Sequence, residues 1–523
     1  DRFDIHKSVN DFTNITADII ILGCNLPGIV VAHKLKEKFG NTINVLVLDL
    51  PKNAQTESKQ NVAFHINKER RYNIDNKLHN IADNLLVKYA NEFNIPLPEA
   101  IFNPEVINYN NRLSKVFQYS NGNIVACEDN YHSFGFLNIF ERIELNQYQA
   151  LLDEMVKELF HCKTECSVKE TKRLAYYDRT TMENHLYGAL MFSNSRDVMR
   201  MIVRLVCGTS ADSVSLLFYL HQCYRTNGCR NHIDGANTRM REKLLGYYRK
   251  SIKYKLQKCI ADITIHAKEI CVIRPQSDEE VVLETIKGES NYVCSQLAMA
   301  LTPDELQDIC LDEELLTNES RAYLSMIPGK ARKFVISYQD NFWRNEGFSG
   351  DIFSIQGPIL WAIEKPKLST EGEENYSALI GYLKEVDNSK EAVIKQLVKL
   401  YGNSAKYPTT YREMELSDVF IPRCGDYVAI RRDFRVSRVE WTALDVFGDG
   451  DVAGAMQAGH NAYVNLLHFL RPQAQTYEDV SSLKEPIILE GFPINDYYLY
   501  FYRIKIKQII SVYLLFYLQR KKL

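Results

Sequence analysis

ILGCNLPGIVV, residues Ile21 to Val31, is the part of the sequence most informative about the fold. It continues an isoleucine-rich run with no charge after Asp18, which is typical of a strand buried on both faces of a parallel sheet. After Gly28, apolar and polar residues interleave at helical spacing, which predicts a helix that ends at a glycine cap, Gly40. A second apolar strand, NVLVLD, then ends at Asp49.

This order of strand, glycine turn, helix and acid-ended strand is the βαβ unit that binds the ADP half of a dinucleotide. Pyrophosphate lies at the helix N-terminus of such a unit, and the acid holds the ribose hydroxyls. Gly23 and Gly28 occupy two of the three glycine positions of this fingerprint, and Asp49 is in the right place to be the acid. We therefore take all three as candidate cofactor-binding residues.

Asn25 stands at the middle glycine position, where glycine lets the backbone approach the pyrophosphate closely. Its side chain either blocks the phosphate or turns its amide towards it as a donor. Pro27 also removes one backbone N–H from the turn. The stretch thus predicts the βαβ fold and leaves cofactor binding open.

Composition narrows the function classes. The chain has 523 residues and a formal net charge of -3, which is enough for two or more domains and gives no reason to expect nucleic acid. Its twelve cysteines include only two close pairs, Cys162/Cys166 and Cys223/Cys229, and neither has the second half that a zinc site needs. We predict no metal site, whereas the compartment and the oligomeric state stay open.

Helix-like and strand-like regions are interleaved along the chain. Residues 138–220 read as helices, and strand patterns return from Ile260 in ADITIHAKEICVIRP, EEVVLETI and SNYVCSQLAMAL. A layout of this kind results when one domain is threaded through another.

Four stretches resemble the flavin-containing monoamine oxidase family, in the family's order across nearly the whole chain. They are YDRTTMENHL (177–186), SADSVSLLFYLHQC (210–223), IPGKARKFVISYQDNFWRNEGFSGD (327–351) and GDVAGAMQAGHNA (450–462). The resemblance implies an α/β fold of the amine oxidase type, with a discontinuous Rossmann-like FAD-binding domain and an interleaved α+β substrate domain. It places the FAD-binding domain in 1–80, 221–295 and 423–470, the substrate domain in 81–220 and 296–422, and a tail in 471–523.

The resemblance also assigns residues to the reaction. In the family, the lysine that matches Lys333 lies beside the reactive nitrogen of the flavin and favours negative charge on the reduced ring. The alternative is a solvated surface lysine within KARK. Tyr338 is either a substrate-pocket wall or core.

Departures from the family pattern cluster at the cofactor. The loop at residues 50–64 contains no glycine, although glycine is needed there for close backbone approach. TALD (442–445) stands where the family has Ala-Gly-Thr-Glu before its last helix. Its Asp445 can still accept a hydrogen bond from a ribityl hydroxyl of the flavin. Asp451 replaces the second tyrosine of an aromatic cage and could pair with a cationic amine. Gly454 keeps the glycine of the last helix.

Cys424 lies in the region where some family members attach flavin, but it lacks the two preceding glycines. We therefore expect a structural or disulfide cysteine and non-covalent FAD. Two functions stay open: an FAD-dependent oxidoreductase that oxidises an amine or amino-acid-like substrate by hydride transfer, or a degenerate relative with weak or no FAD binding and a binding or structural role.

The tail YYLYFYRIKIKQIISVYLLFYLQRKKL (497–523) predicts contact with a membrane surface. Its uncharged run, Gln508 to Gln519, is shorter than the ~20 residues of a spanning helix, and its aromatic and basic residues suit the interface. The alternatives are an element packed on the protein's own surface and a poorly ordered end.

Overall fold

The computed structural model of the chain describes most of the regions singled out by the sequence. The described residues are 13–51, 88–95, 113–128, 131–160, 168–225, 247–263, 265–286, 290–329, 331–365, 377–384, 390–416, 420–430, 435–442, 452–476 and 479. Most of the glycine-free loop, Asp445, Asp451 and the tail at 497–523 lie outside them.

The described strands form two large sheets and one small one. In chain order they are β1 (Thr13–Leu22), β2 (Val45–Asp49), β3 (Ser114–Gln118), β4 (Ile124–Cys127), β5 (Ile265–Ala267), β6 (Ile270–Pro275), β7 (Val281–Thr285), β8 (Ser290–Met299), β9 (Cys310–Leu311), β10 (Ile327–Pro328), β11 (Ala331–Tyr338), β12 (Phe348–Ser354), β13 (Ile359–Glu364), β14 (Ser377–Leu383), β15 (Thr410–Leu416), β16 (Phe420–Ile421), β17 (Arg435–Val436) and β18 (Val439–Trp441).

Helices connect and cover these sheets. They are α1 (Leu26–Phe39), α2 (Ile139–Phe160), α3 (Val168–Arg179), α4 (Met182–Ala189), α5 (Ser193–Cys207), α6 (Leu216–Arg225), α7 (Tyr247–Cys259), α8 (Pro303–Leu306), α9 (Asn318–Leu324), α10 (Phe342–Asn345), α11 (Lys390–Tyr401), α12 (Tyr427–Ile430) and α13 (Val452–Leu470). None of the helices within the described ranges is long and apolar enough to cross a membrane.

The first sheet has the order β5-β2-β1-β8-β7-β6-β9, with β18 beside β8 and β17 beside β18. β1 runs parallel to both β2 and β8, and β18 runs parallel to β8. Ile19 to Leu22 in β1 are fully buried, as expected of a strand covered on both faces. Helices α7 and α13 pack against α1 on one face of this sheet.

The second sheet has the order β15-β11-β14-β13-β12-β3-β4 and is antiparallel except where β3 pairs with β12. Its outer face packs against α11, whose Val393 and Leu397 contact the cluster that contains Phe334 and Ile336. Its inner face contributes Phe353 and other residues to the same hydrophobic cluster as α1. The inner face therefore lies towards the first sheet and its helices.

The structure confirms the interleaved layout predicted from the sequence: helices α2 to α6 occupy the predicted helical region, and strands return at Ile265. The domain boundaries stay predictions. One detail differs, because α1 begins at Leu26 rather than after Gly28, with Asn25 as its N-cap. Gly40 ends the helix with a φ of 55°, as the glycine cap requires.

Candidate functional site

The first candidate site is the crevice at the carboxyl ends of the parallel strands. β1 lies between β2 and β8, so the chain leaves this edge of the sheet in two directions. Such a switch point is where open α/β sheets bind their ligands. Asp49 ends β2, and Ala300 and Thr442 directly follow β8 and β18 at the same edge.

Gly23 makes the turn out of β1 and tolerates no side chain. Its φ is +107°, and a Cβ there would lie 2.2 Å from the Ala300 carbonyl oxygen. Its backbone N–H donates to the Leu48 carbonyl oxygen at 2.7 Å. Gly23 therefore lets the turn pass directly over the ends of β2 and β8.

Gly28 lies inside α1 and allows the helix to approach the strands. A Cβ at this position would lie 2.4 Å from the Gly23 carbonyl oxygen and 2.9 Å from the Ala300 Cβ. Gly459 of α13 makes a similar approach, since its Cβ would lie 2.6 Å from the Pro27 carbonyl oxygen. The predicted residue Gly454 is buried on the same helix as Gly459. Gly28 and Gly459 thus allow α1 to pack closely against both the strand ends and α13.

The Asn25 side chain lies in the crevice. Its Oδ1 accepts a hydrogen bond from the Gly28 backbone N–H at 3.1 Å, and its Nδ2 donates to the Ala300 carbonyl oxygen. The amide therefore bridges the N-terminus of α1 and the end of β8. This is the arrangement expected if Asn25 blocks the phosphate position rather than presenting a donor to it.

Asp49 is buried beside this turn at the end of β2. Its Oδ1 accepts hydrogen bonds from the backbone N–H groups of Leu50 at 3.0 Å and Cys24 at 3.3 Å. The carboxylate therefore ties the end of β2 to the turn that follows β1. This is the position in which an acid reaches the ribose of a dinucleotide.

Lys333 lies in the middle of β11, on the inner face of the second sheet, and is only 5% exposed. The alternative of a solvated surface lysine is therefore wrong. Lys333 pairs across the strands with Tyr382, and Tyr382 pairs with Trp361 on the next strand. Because directly paired residues point to the same face, these three side chains form one row across three strands.

The two aromatic members of this row were not predicted from the sequence. The Tyr382 and Trp361 rings stack with centroids 6.2 Å apart, and burial raises the pKa of Tyr382. The buried Trp361 Nε1 has no hydrogen-bond partner among the described residues. Both side chains belong to the hydrophobic cluster that contains Ile29 and Val30 of α1. The alternation in ILWAIE indicates which side chains share a face with Trp361 on its own strand. It does not indicate that Lys333 lies in the same row on another strand.

Tyr338 lies on the opposite face of the second sheet from Lys333, because five positions separate the two residues on one strand. Its hydroxyl donates to the Ala405 carbonyl oxygen at 3.0 Å, and its ring packs edge-on against Phe342 and Trp343. The structure thus places Tyr338 in the core under α11, so the core alternative holds and the assignment to the substrate pocket is wrong.

Asp178, in the YDRTT stretch, joins the helical region to the loop around Cys424. Its Oδ2 accepts a hydrogen bond from Val428 N at 3.0 Å, its carbonyl oxygen accepts from Gly425 N at 2.9 Å, and burial raises the pKa of its carboxyl. Cys424 is a free thiol that donates to the Ser213 carbonyl oxygen at 3.8 Å. The disulfide interpretation of Cys424 is therefore wrong, and the structural one fits.

Tyr427 follows that loop and is fully buried. Its hydroxyl is hydrogen-bonded to His221 Nδ1, and its ring packs edge-on against Phe218. The sequence singled out the α6 stretch that carries His221 and Phe218, but it gave no signal for this pair, because Tyr427 lies 206 residues from His221.

Comparisons with known proteins agree with this architecture. No protein-family model matches the chain. The "Probable flavin-containing monoamine oxidase A" of Dictyostelium discoideum is 22% identical over 475 residues, which cover 84% of this chain and 95% of that protein. The "Amine oxidase [flavin-containing] B" of Bos taurus is 22% identical over 338 residues, which cover 59% of this chain and 62% of that protein.

Solved structures share the fold. Wild-type putrescine oxidase bound to putrescine superposes with a TM-score of 0.63 at 14% identity, covering 87% of this chain and 99% of that one. Cyclohexylamine oxidase from Brevibacterium oxydans gives a TM-score of 0.63 at 16% identity over 87% of this chain and 99% of that one. The predicted fold class, with a discontinuous Rossmann-like domain and an interleaved substrate domain, is thereby confirmed. Its sequence relatives and its fold make the chain a relative of the flavin-containing amine oxidases, as its own sequence indicates.

Proposed function

We propose that the chain is an FAD-dependent oxidoreductase that oxidises an amine or amino-acid-like substrate, with non-covalent FAD. The observation that carries the proposal is Lys333, a buried cation on the sheet face that is directed towards the dinucleotide-type domain. Bound FAD would accept a hydride from the carbon next to the amine nitrogen. The names of the sequence relatives support this reaction class over the degenerate alternative.

The crevice fits the ADP half of the cofactor. Gly23 and Gly28 bring the backbone close to the strand ends, and a Cβ at either position would collide with backbone atoms. Asp49 lies where the ribose hydroxyls would be held, next to the turn. Thr442 joins the strand ends to α13, since its N–H donates to the Met299 carbonyl oxygen and its hydroxyl to that of Ala458.

The row on the second sheet fits the reacting half. Lys333 would stabilise the negative charge that develops during hydride transfer, and its burial strengthens that electrostatic effect. Tyr382 and Trp361 pack in the same row as Lys333 and exclude water beside it. The unsatisfied Trp361 N–H is a donor for a polar group on that face, since a buried donor of this kind is costly to leave unpaired.

Anaerobic mixing of the FAD-loaded protein with primary amines tests the proposal without assuming an electron acceptor. We expect the flavin absorbance to bleach at a rate that saturates with amine concentration. Alcohols of the same carbon skeleton are the matched control and should leave the spectrum unchanged. A bound flavin that no aliphatic, aromatic or amino-acid amine reduces would overturn the proposal.

We also propose that residues 497–523 contact a membrane surface. The support is the sequence alone, in which aromatic and aliphatic residues are flanked by Arg503, Lys505 and the basic end RKKL.

A further inference from the structure

Asn25 lies at the N-terminus of α1, the end of the helix at which a βαβ unit binds pyrophosphate. The side chain is held at both ends, by the Gly28 N–H at its Oδ1 and by the Ala300 carbonyl oxygen at its Nδ2. Ala300 lies 275 residues from Asn25 in sequence, and it follows β8 at the switch point of the first sheet. The amide thus closes the crevice from α1 to β8.

The first turn of a helix offers backbone N–H groups that have no partner within the helix, and phosphates bind to them. In α1 the first turn consists of Leu26, Pro27 and Gly28. Pro27 has no N–H, and the N–H of Gly28 is taken by Asn25. The turn also contains no acidic residue that could cap it instead. A pyrophosphate oxygen and the Asn25 amide therefore compete for the same donor.

We propose that Asn25 is an internal competitor for the FAD pyrophosphate and sets the affinity of the chain for its cofactor. This inference rests on the proposed function, because it takes FAD as the ligand of the crevice. When no cofactor is present, Asn25 caps the N-terminus of α1. FAD binds after the Asn25 amide has left the Gly28 N–H. Binding is then weaker and more reversible than in a chain with glycine at this position.

The backbone allows the exchange without remodelling the turn. Asn25 has a φ of -82° and a ψ of 176°, which is extended backbone that any residue adopts. Rotation about its side-chain bonds is therefore enough to free the Gly28 N–H. For the same reason, alanine fits at this position, and its Cβ coincides with that of asparagine.

Two substitutions distinguish the effect of the Asn25 amide on FAD affinity from the effect of its Cβ. Asn25→Ala removes only the amide, whereas Asn25→Gly also restores the close approach of the backbone. The matched control is Thr181→Gly, which deletes the N-cap of α4, where the Thr181 hydroxyl accepts from Asn184 N at the same distance of 3.1 Å. Each protein is titrated with FAD and followed by quenching of the flavin fluorescence, and circular dichroism checks its fold.

We expect Asn25→Ala to lower the dissociation constant for FAD roughly fivefold, the change that the loss of one competing hydrogen bond corresponds to. Asn25→Gly should bind at least as tightly as Asn25→Ala, and Thr181→Gly should bind as the unaltered chain does. Tighter FAD binding by Asn25→Ala than by the unaltered chain supports the inference. If the unaltered chain binds no FAD while Asn25→Ala does, the proposed function is overturned but the inference is not.

An Asn25→Ala affinity equal to or below that of the unaltered chain would overturn the inference and leave the proposed function standing. Tighter binding by Asn25→Gly alone would also overturn it, because the Cβ and not the amide would then be the obstacle. Absence of FAD binding in all four proteins would overturn both proposals.

Discussion

Gly28→Ala tests whether the close packing of α1 on the strand ends forms the cofactor site. The new Cβ would lie 2.4 Å from the Gly23 carbonyl oxygen, whereas ordinary van der Waals contact begins at 3.4 Å. Because the obstructing atom belongs to the backbone, α1 must move by about 1 Å to accept the methyl group. That movement would carry the helix N-terminus and Asn25 away from Ala300.

The expected loss of stability has two opposing parts. Overpacking destabilises a protein by about 1 to 3 kcal/mol, and a backbone obstruction belongs at the upper end of that range. Alanine is a better helix former than glycine by about 1 kcal/mol, which offsets part of the loss. We therefore expect the free energy of unfolding to fall by about 2 kcal/mol.

Urea unfolding followed by circular dichroism, together with FAD titration, measures both consequences. Gly135→Ala is the matched control, because its Cβ would meet only the Ser133 hydroxyl at 3.5 Å. This control should keep its stability within about 0.5 kcal/mol of the unaltered chain. Gly28→Ala should lose both stability and FAD affinity. Normal stability and normal FAD affinity in Gly28→Ala would refute the close-packing account of the crevice.

Three further predictions concern other parts of the chain. Lys333→Met should keep FAD bound and slow flavin reduction or reoxidation by roughly 10²-fold to 10³-fold in stopped-flow measurements, because it removes a preorganised charge; Lys384→Met, at another buried lysine, should change neither rate, and equal rates in all three proteins would leave Lys333 a packing residue. His185 is buried in α4, where its Nδ1 is hydrogen-bonded to the Tyr148 hydroxyl, and burial lowers its pKa to about 4. Stability that is present above the pKa of a free histidine, about 6.5, is therefore lost as the pH falls towards 4. Between pH 7 and pH 5 we expect a loss of roughly 2 kcal/mol in urea unfolding, and His185→Gln should show a smaller fall with pH; parallel falls in the two proteins would exclude His185 as the cause. The full chain should sediment with anionic vesicles, and a version that ends at Pro486 should not; equal sedimentation would remove the membrane claim.

Local patterns were enough to predict the first βαβ unit, which consists of β1, α1 and β2. The run of isoleucines in β1 and the glycine cap at Gly40 depend on neighbouring residues, and both are found where the sequence predicts them. The helical spacing predicts α1 apart from its start, which is at Leu26. The fold class could also be predicted, because the resemblance to the flavin-containing monoamine oxidase family spans nearly the whole chain.

The contacts that define the site depend on distant parts of the chain. Asn25 and Gly28 both meet Ala300, which lies at the end of a strand that no local pattern pairs with β1. The fingerprint uses its third glycine for close helix–strand packing, and the structure gives Gly28 that role. It uses its middle position for approach to the phosphate, whereas the structure gives Asn25 a capping role. The contacts with Ala300 follow from the register of β1 and β8, which the turn itself does not encode.

The same limit applies to the second sheet. The stretch around Lys333 was recognised from its spacing, yet the partners of Lys333, Tyr382 and Trp361, come from two other strands. Tyr338 belongs to the same stretch, but the alternation of β11 turns it to the other face. A linear motif therefore identified the strand and left open which of its residues share a surface.

The visible absorption spectrum of the purified chain after equilibrium dialysis against FAD tests the central claim most directly. If the chain binds FAD, we expect flavin bands on the protein side in excess of those in the dialysate, rising towards one FAD per chain as the FAD concentration increases. Identical visible spectra on both sides of the dialysis membrane at every FAD concentration would contradict FAD binding. The chain would then have the fold of a flavin amine oxidase without its cofactor.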